Sequence, residues 1–128
     1  MPKTIQLILS LPSKRGVLAG IGRALADAKV NILSLSAAEA AGRGKIRMVV
    51  NKPTLAKRAL RKGRVRFSEE VAFAKRLSNK PGALARVADK LARGGVNIKS
   101  AYATTTGRGG ATVIITVSNP AKARRIIG

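Results

Sequence analysis

The sequence predicts an α+β chain made of two copies of one unit, and three observations carry that expectation. The chain repeats itself at an offset of 66. Ser13-Lys14-Arg15-Gly16-Val17-Leu18-Ala19 aligns with Asn79-Lys80-Pro81-Gly82-Ala83-Leu84-Ala85, Val30-Asn31-Ile32 aligns with Val96-Asn97-Ile98, and residues 13–34 hold 10 identities in 22 positions. Within each copy, apolar residues switch between a period of two and a period near 3.6, the marks of strand and helix. Hydrophobic residues make up 45% of the chain, so each copy can build a core in spite of its charge.

In the first copy, Ile5, Leu7, Leu9 and Leu11 alternate as a half-buried strand. Leu18, Ile21, Gly22 and Leu25 follow at helical spacing. A strand is expected over residues 30–37, a hairpin turn at Gly42-Arg43-Gly44, and a strand at Ile46, Met48 and Val50. Pro53 suits the first turn of a second helix with the stripe Leu55-Ala56 and Ala59-Leu60, and Val65 with Phe67 predicts a closing strand. The second copy runs in the same order. It has a strand over 71–77, then a helix striped by Leu84, Val87, Ala88 and Leu91 that ends at Gly94-Gly95. A strand over 98–105, a hairpin at Gly107 to Gly110, a strand over 111–117 and a short helix from Pro120 complete it. The join falls near residues 67–71, giving repeats 1–68 and 69–128. The plan is the ferredoxin-like βαββαβ arrangement, with antiparallel sheets covered by helices on one face and the second repeat lacking its last strand. Two such sheets can join edge to edge, into about eight strands.

The 128 residues carry 26 Lys and Arg against 5 Asp and Glu, a net charge of +21. With no Cys and no His, the chain offers no thiol nucleophile, imidazole base, disulfide or Cys/His metal site. The acids are Asp27, Glu39, Glu69, Glu70 and Asp89. Glu69 and Glu70 are the one adjacent pair, and neighbours on a strand point to opposite faces, so they read as residues of the join. No enzyme, metal or cofactor is expected. No apolar run is long enough to span a bilayer and the start lacks an apolar signal core, so a cytoplasmic location is expected. The cations fall between apolar positions, as on a solvated surface, and such a surface attracts polyanions in a salt-dependent way.

Two features recur in both copies. The loops Ser13-Lys14-Arg15-Gly16 and Asn79-Lys80-Pro81-Gly82 each end a strand and open a helix. Backbone N–H groups at a helix start bind carboxylate or phosphate, although the same residues also serve as caps and turns. Asn31 and Asn97 enter a strand just after a helix, where Asn satisfies helix-end carbonyls or offers an amide to a ligand. The Gly-Arg-Gly hairpins are turns first, and neither fits phosphate-loop spacing. Arg43, Lys45, Arg47 and Arg108 are their candidate polyanion contacts. Base stacking of the kind seen on this plan needs aromatics in the central strands. Phe67, Phe73 and Tyr102 are the three aromatics, and none lies in 45–50 or 111–117.

The pattern Asn79-Lys80-Pro81-Gly82-Ala83-Leu84, an apolar helix and then Gly94-Gly95-Val96-Asn97-Ile98 resembles an ACT domain. Ser13 to Ile32 resembles it more loosely, and Pro53 with Ala56 and Pro120 with Ala123 match the start of that family's second helix. The resemblance implies a non-enzymatic regulatory module that pairs side by side and holds an amino acid or similar ligand at the strand–helix loops. Carried over residue by residue, the ligand positions are Ser13, Lys14, Gly16, Val17, Leu18, Asn31 and Ile32, with Asn79, Lys80, Gly82, Ala83, Leu84, Asn97 and Ile98. Backbone amides at 16–18 and 82–84 would take a carboxylate. The chain departs from the pattern at Arg15, where Pro is usual, at Lys29, where Gly is common, and at Asn51 and Asn119, where Asp is frequent. Arg15 makes the second loop the favoured one. A homo-oligomer, most simply a dimer through a sheet edge or helix face, is the implied assembly. The rival expectation is the same fold as a scaffold made strongly basic by engineering or selection, holding nucleic acid or acidic partners without specificity.

Overall fold

The structure, a computed structural model, describes residues 3–78, 80–105 and 109–127. Asn79 and Arg108, both named above, lie outside the described residues. The elements in order are β1 (Lys3–Pro12), α1 (Val17–Asp27), β2 (Ile32–Ala40), β3 (Arg43–Val50), α2 (Pro53–Lys62), β4 (Phe67–Ser78), α3 (Ala83–Arg93), β5 (Ile98–Thr105), β6 (Gly110–Val117) and α4 (Pro120–Ile127). The chain falls into two units. One is Ile5–Glu70, and the other takes Val71 onward together with Lys3 and Thr4 at the start of β1.

In the first unit the strand order is β2-β3-β1, all antiparallel, with Leu9 opposite Ile46 and Leu7 opposite Met48. Leu7, Leu9, Ile21, Leu25, Ile46, Met48, Val50, Ala56 and Leu60 form its core. In the second unit the order is β4-β6-β5, and Phe73, Val87, Leu91, Val113, Ile115, Val117, Ala123 and Ile127 form the core. Leu7, Ile21 and Leu25 thus have counterparts 66 residues on, whereas Ile46, Met48, Val50 and Leu60 have them 67 residues on. The extra residue lies between the paired strands, where the second repeat has the longer hairpin sequence. Both repeats also carry a register shift at the same place, Ile32/Ser34 and Ile98/Ser100.

Two expectations need correction. The closing strand at 65–67 and the opening strand at 71–77 are one continuous strand, β4. Nothing in Ser68-Glu69-Glu70 breaks an extended backbone, and Lys57 on α2 holds Glu69 at 2.9 Å. Phe67 packs on the first core and Phe73 lies in the second. The helix stripes are also shifted. Leu18 is 46% exposed and Leu84 50%, while Ile21, Leu25, Val87 and Leu91 are buried. The buried stripe of α3 is Ala83, Val87 and Leu91, spaced by four, so its neighbour Leu84 is turned about 100° away from it.

The helix ends explain the departure at Lys29. Val30 N–H donates to Leu25 O at 2.9 Å and Lys29 N–H to Ala26 O at 3.0 Å, which requires a left-handed residue. Lys29 takes φ +63°, and its counterpart Gly95 takes φ +75°.

Candidate functional site

The strand–helix loop of the first unit is built by a short set of backbone bonds. Ser13 N–H donates to Gly42 O at 2.9 Å, which ties the loop to the β2–β3 turn. Gly16 is the N-terminal cap residue of α1 with φ +84°, a conformation that disfavours any side chain. Gly82 takes the same place on α3 with φ +88°. No side chain caps α1 from Gly16 and its first turn holds no acid. The N–H groups of Leu18 and Ala19 therefore have no intrahelical partner, and this end of α1 is electropositive.

Beside that helix start lies a pocket of about 210 Å³. Ser13, Lys14, Val17 and Leu18 wall it from the loop and helix; Leu11, Ala37, Ala38, Gly44 and Ile46 wall it from the sheet. Glu39, exposed near the end of β2, brings the carboxylate of this lining. The exposed Leu18 is thus part of the pocket wall. Leu11, Ala37, Ala38, Glu39 and Ile46 were missed from the sequence. They follow from the β2–β3 register, in which Ala37 faces Ile46 and Glu39 faces Gly44 across an edge strand that the bulge has shifted. Arg15, whose presence favoured the second loop, is exposed and outside the lining, so the missing proline leaves this pocket formed.

Asn31 and Asn97 are not brought to these loops. Asn31 follows the other end of α1, about 16 Å along an 11-residue helix. Its N–H donates to Asn51 Oδ1 at 2.8 Å, and Asn51 N–H donates back to Asn31 O at 3.0 Å. In the second unit Asn97 N–H donates to Ser118 Oγ at 3.0 Å and Ser118 N–H to Asn97 O at 2.9 Å. In both repeats Asn31 and Asn97 enter the clamp through their backbone groups alone, and their own side chains are exposed. Ile32 and Ile98 pack on the two cores. Asn119 caps α4, accepting from Lys122 N–H at 3.1 Å. In the second loop Lys80 N–H donates to Ser78 O at 2.9 Å and Ala83 N–H to Lys80 O at 3.2 Å.

Arg43, Lys45 and Arg47 alternate with the buried Ile46 and Met48 on β3, so they share the face turned away from the first core. Arg43 Nη2 donates to Ser10 O at 3.0 Å. Phe73 is fully buried, and the Arg61 guanidinium lies 5.3 Å from the centroid of the Phe67 ring.

The sequence pattern of the ACT domain pair matches residues 3–128. The chain belongs to the ACT domain pair family. A solved structure of a Bacteroides thetaiotaomicron protein is 31% identical over 97% of this chain and 85% of its own, with a TM-score of 0.91. The regulatory subunit of aspartate kinase from Thermus thermophilus, in its ligand-free form, is 18% identical over 98% of this chain and 89% of its own, with a TM-score of 0.66. The corresponding Thermus flavus subunit is 18% identical over 98% and 90%, with a TM-score of 0.64. The two Thermus structures share the fold with this ACT pair. No match was found among curated proteins. Among the described residues no helix is long and apolar enough to cross a membrane.

Proposed function

We propose that this ACT domain pair is a non-enzymatic, cytoplasmic regulatory module whose first repeat binds a free amino acid with an apolar side chain. The observation that carries this reading is the pocket at the start of α1. A ligand carboxylate is met by the N–H group of Leu18 at the start of α1 and by Lys14. Its ammonium group is met by Glu39, and its side chain lies against Leu11, Leu18 and Ile46. The volume of about 210 Å³ suits one small amino acid. The aspartate kinase regulatory subunits of the same fold support a regulatory role. Exposed Leu33 and Leu35 on β2, the outer strand of its unit, support self-association through that edge.

A panel of free amino acids in thermal unfolding tests this. An apolar amino acid at 100 times its Kd stabilises the native state by about 2.7 kcal/mol. Gly16→Val, at φ +84°, and Glu39→Gln should each remove the shift. A panel in which no amino acid raises the melting temperature refutes the proposal. The row Arg43, Lys45 and Arg47 favours a second reading, nonspecific binding of nucleic acid or other polyanions, which does not require the pocket.

A further inference from the structure

We propose that the groove between α1 and α2 in the first repeat docks an amphipathic helix of another protein, one with branched aliphatic side chains along its buried face and acids on one flank. Ala24 and Ala28 on α1, with Ala59 and Gly63 from α2 and its end, floor the groove, whose volume is about 520 Å³. It continues past Gly20 and Val17 as an apolar cleft of about 300 Å³ that shares Ala24, Ala59 and Gly63. Together the two follow α1 from Gly16 to Ala28, about three helical turns. Ala24 stands about 120° around α1 from Leu18, so the inference does not rest on the amino-acid pocket that Leu18 walls.

The second repeat shows what fits this seam. At the offset of 67 that joins Leu60 to Ile127, Ile126 stands in place of Ala59, and at 66 Gly94 stands in place of Ala28. Ile126 packs on the second core, and its Cδ1 takes the space that a Cβ on Gly94 would need. The same fold thus closes the seam with an isoleucine from a helix in one repeat and leaves it open in the other. An open apolar cleft forgoes both burial and packing. A guest helix that lays aliphatic side chains at i, i+4 and i+7 into it restores them.

Charge selects the guest. α2 carries Lys57, Arg58, Arg61 and Lys62 and no acid. Lys57 is engaged by Glu69 and Arg61 lies over Phe67, whereas Arg58 and Lys62 form the α2 rim of the groove. Asp27 is the acid of the α1 rim. A guest with Asp or Glu toward α2 and neutral residues toward Asp27 is complementary to both rims. The rims orient it, and the apolar cleft between them holds it. A second copy of this chain is a poor guest. Its α2, α3 and α4 each carry a net positive charge and its α1 is neutral, so no helix of the copy brings an acidic flank.

The test uses a fluorescein-labelled alanine-based peptide of about 18 residues, long enough to form a helix. It carries Ile at i, i+4, i+7 and i+11, Glu on one flank and Gln on the other. Fluorescence anisotropy follows its binding to the full chain in about 0.15 M NaCl, where distant surface charge is largely screened. The chain should bind it saturably, and should bind a scrambled peptide of the same composition about tenfold more weakly or worse. Ala59→Ile with Ala28→Gly copies the pair that closes the second repeat and should weaken binding about tenfold or more. Arg58→Gln with Lys62→Gln should also weaken it, whereas Arg124→Gln with Arg125→Gln on α4 removes the same charge and should change affinity less than about twofold. Circular dichroism verifies that each variant is folded. No binding by the parent chain, equal binding of the scrambled peptide, or full binding by the filled variant overturns the proposal. Self-association of the chain that the filled variant abolishes, read by sedimentation, overturns it too, because the guest is then a second copy.

Discussion

Replacing Lys29 with glycine should stabilise the protein, although Lys29 is exposed and its φ is the main thing that changes. The residue holds φ +63° so that the two bonds from Val30 and Lys29 can close the end of α1. A side chain in this left-handed region costs about 1 kcal/mol, and glycine avoids that cost. The second repeat makes the same two bonds around Gly95, from Val96 to Leu91 at 2.8 Å and from Gly95 to Ala92 at 3.0 Å. One kcal/mol corresponds to a rise of about 4 °C in Tm for a domain of this size. Thermal unfolding by circular dichroism at fixed salt measures it. Lys29→Gly also removes one of 26 cations, so Lys29→Ala is the control: it removes the same charge and keeps a side chain at positive φ. Lys29→Gly should gain about 1 kcal/mol and Lys29→Ala should not. Equal gains would place the effect in charge repulsion, and no gain in Lys29→Gly would refute the backbone argument.

The clamp at the start of β2 gives a second contrast. Asn51→Ala removes the acceptor of the Asn31 N–H and should cost about 1 kcal/mol, whereas Asn31→Ala removes a side chain that the clamp does not use and should change stability little. Urea unfolding of the two variants checks it. The net charge of +21 leads to nucleic-acid binding that is strong at low ionic strength and falls by orders of magnitude toward about 0.2 M salt, with little sequence preference, as read by fluorescence anisotropy. Burial of Phe73 and the Arg61 contact on Phe67 remove stacking surfaces that would sustain binding in salt.

The fold was legible because a duplicated sequence shows its core twice. Ile21 and Leu25 reappear as Val87 and Leu91, and all four are buried. Leu18 and Leu84 were misplaced for a related reason. Both repeats have Leu at the second position of the helix, so duplication supports an apolar stripe that the backbone does not build. The opening and closing strands read as two in the sequence because Ser68-Glu69-Glu70 is polar; here polarity marks exposure of the strand's side chains, not a break in the chain. The pocket was half legible. Its loop and helix start follow from Gly16, but its far wall, Ala37 to Glu39 and Ile46, depends on the β2–β3 register, which a bulge shifts and local pattern does not reveal. Asn31 drew attention as a recurrent polar side chain, yet what recurs is its backbone clamp.

The most direct test of the account is a titration of the isotope-labelled protein with the amino acid selected by the thermal panel, followed through its backbone amides. Binding at the start of α1 predicts that the amide signals of Lys14, Val17 and Leu18 move the most, saturably and with 1:1 stoichiometry, and that Gly16→Val abolishes the response. Saturable shifts centred on other residues, with Lys14, Val17 and Leu18 unmoved, would contradict it.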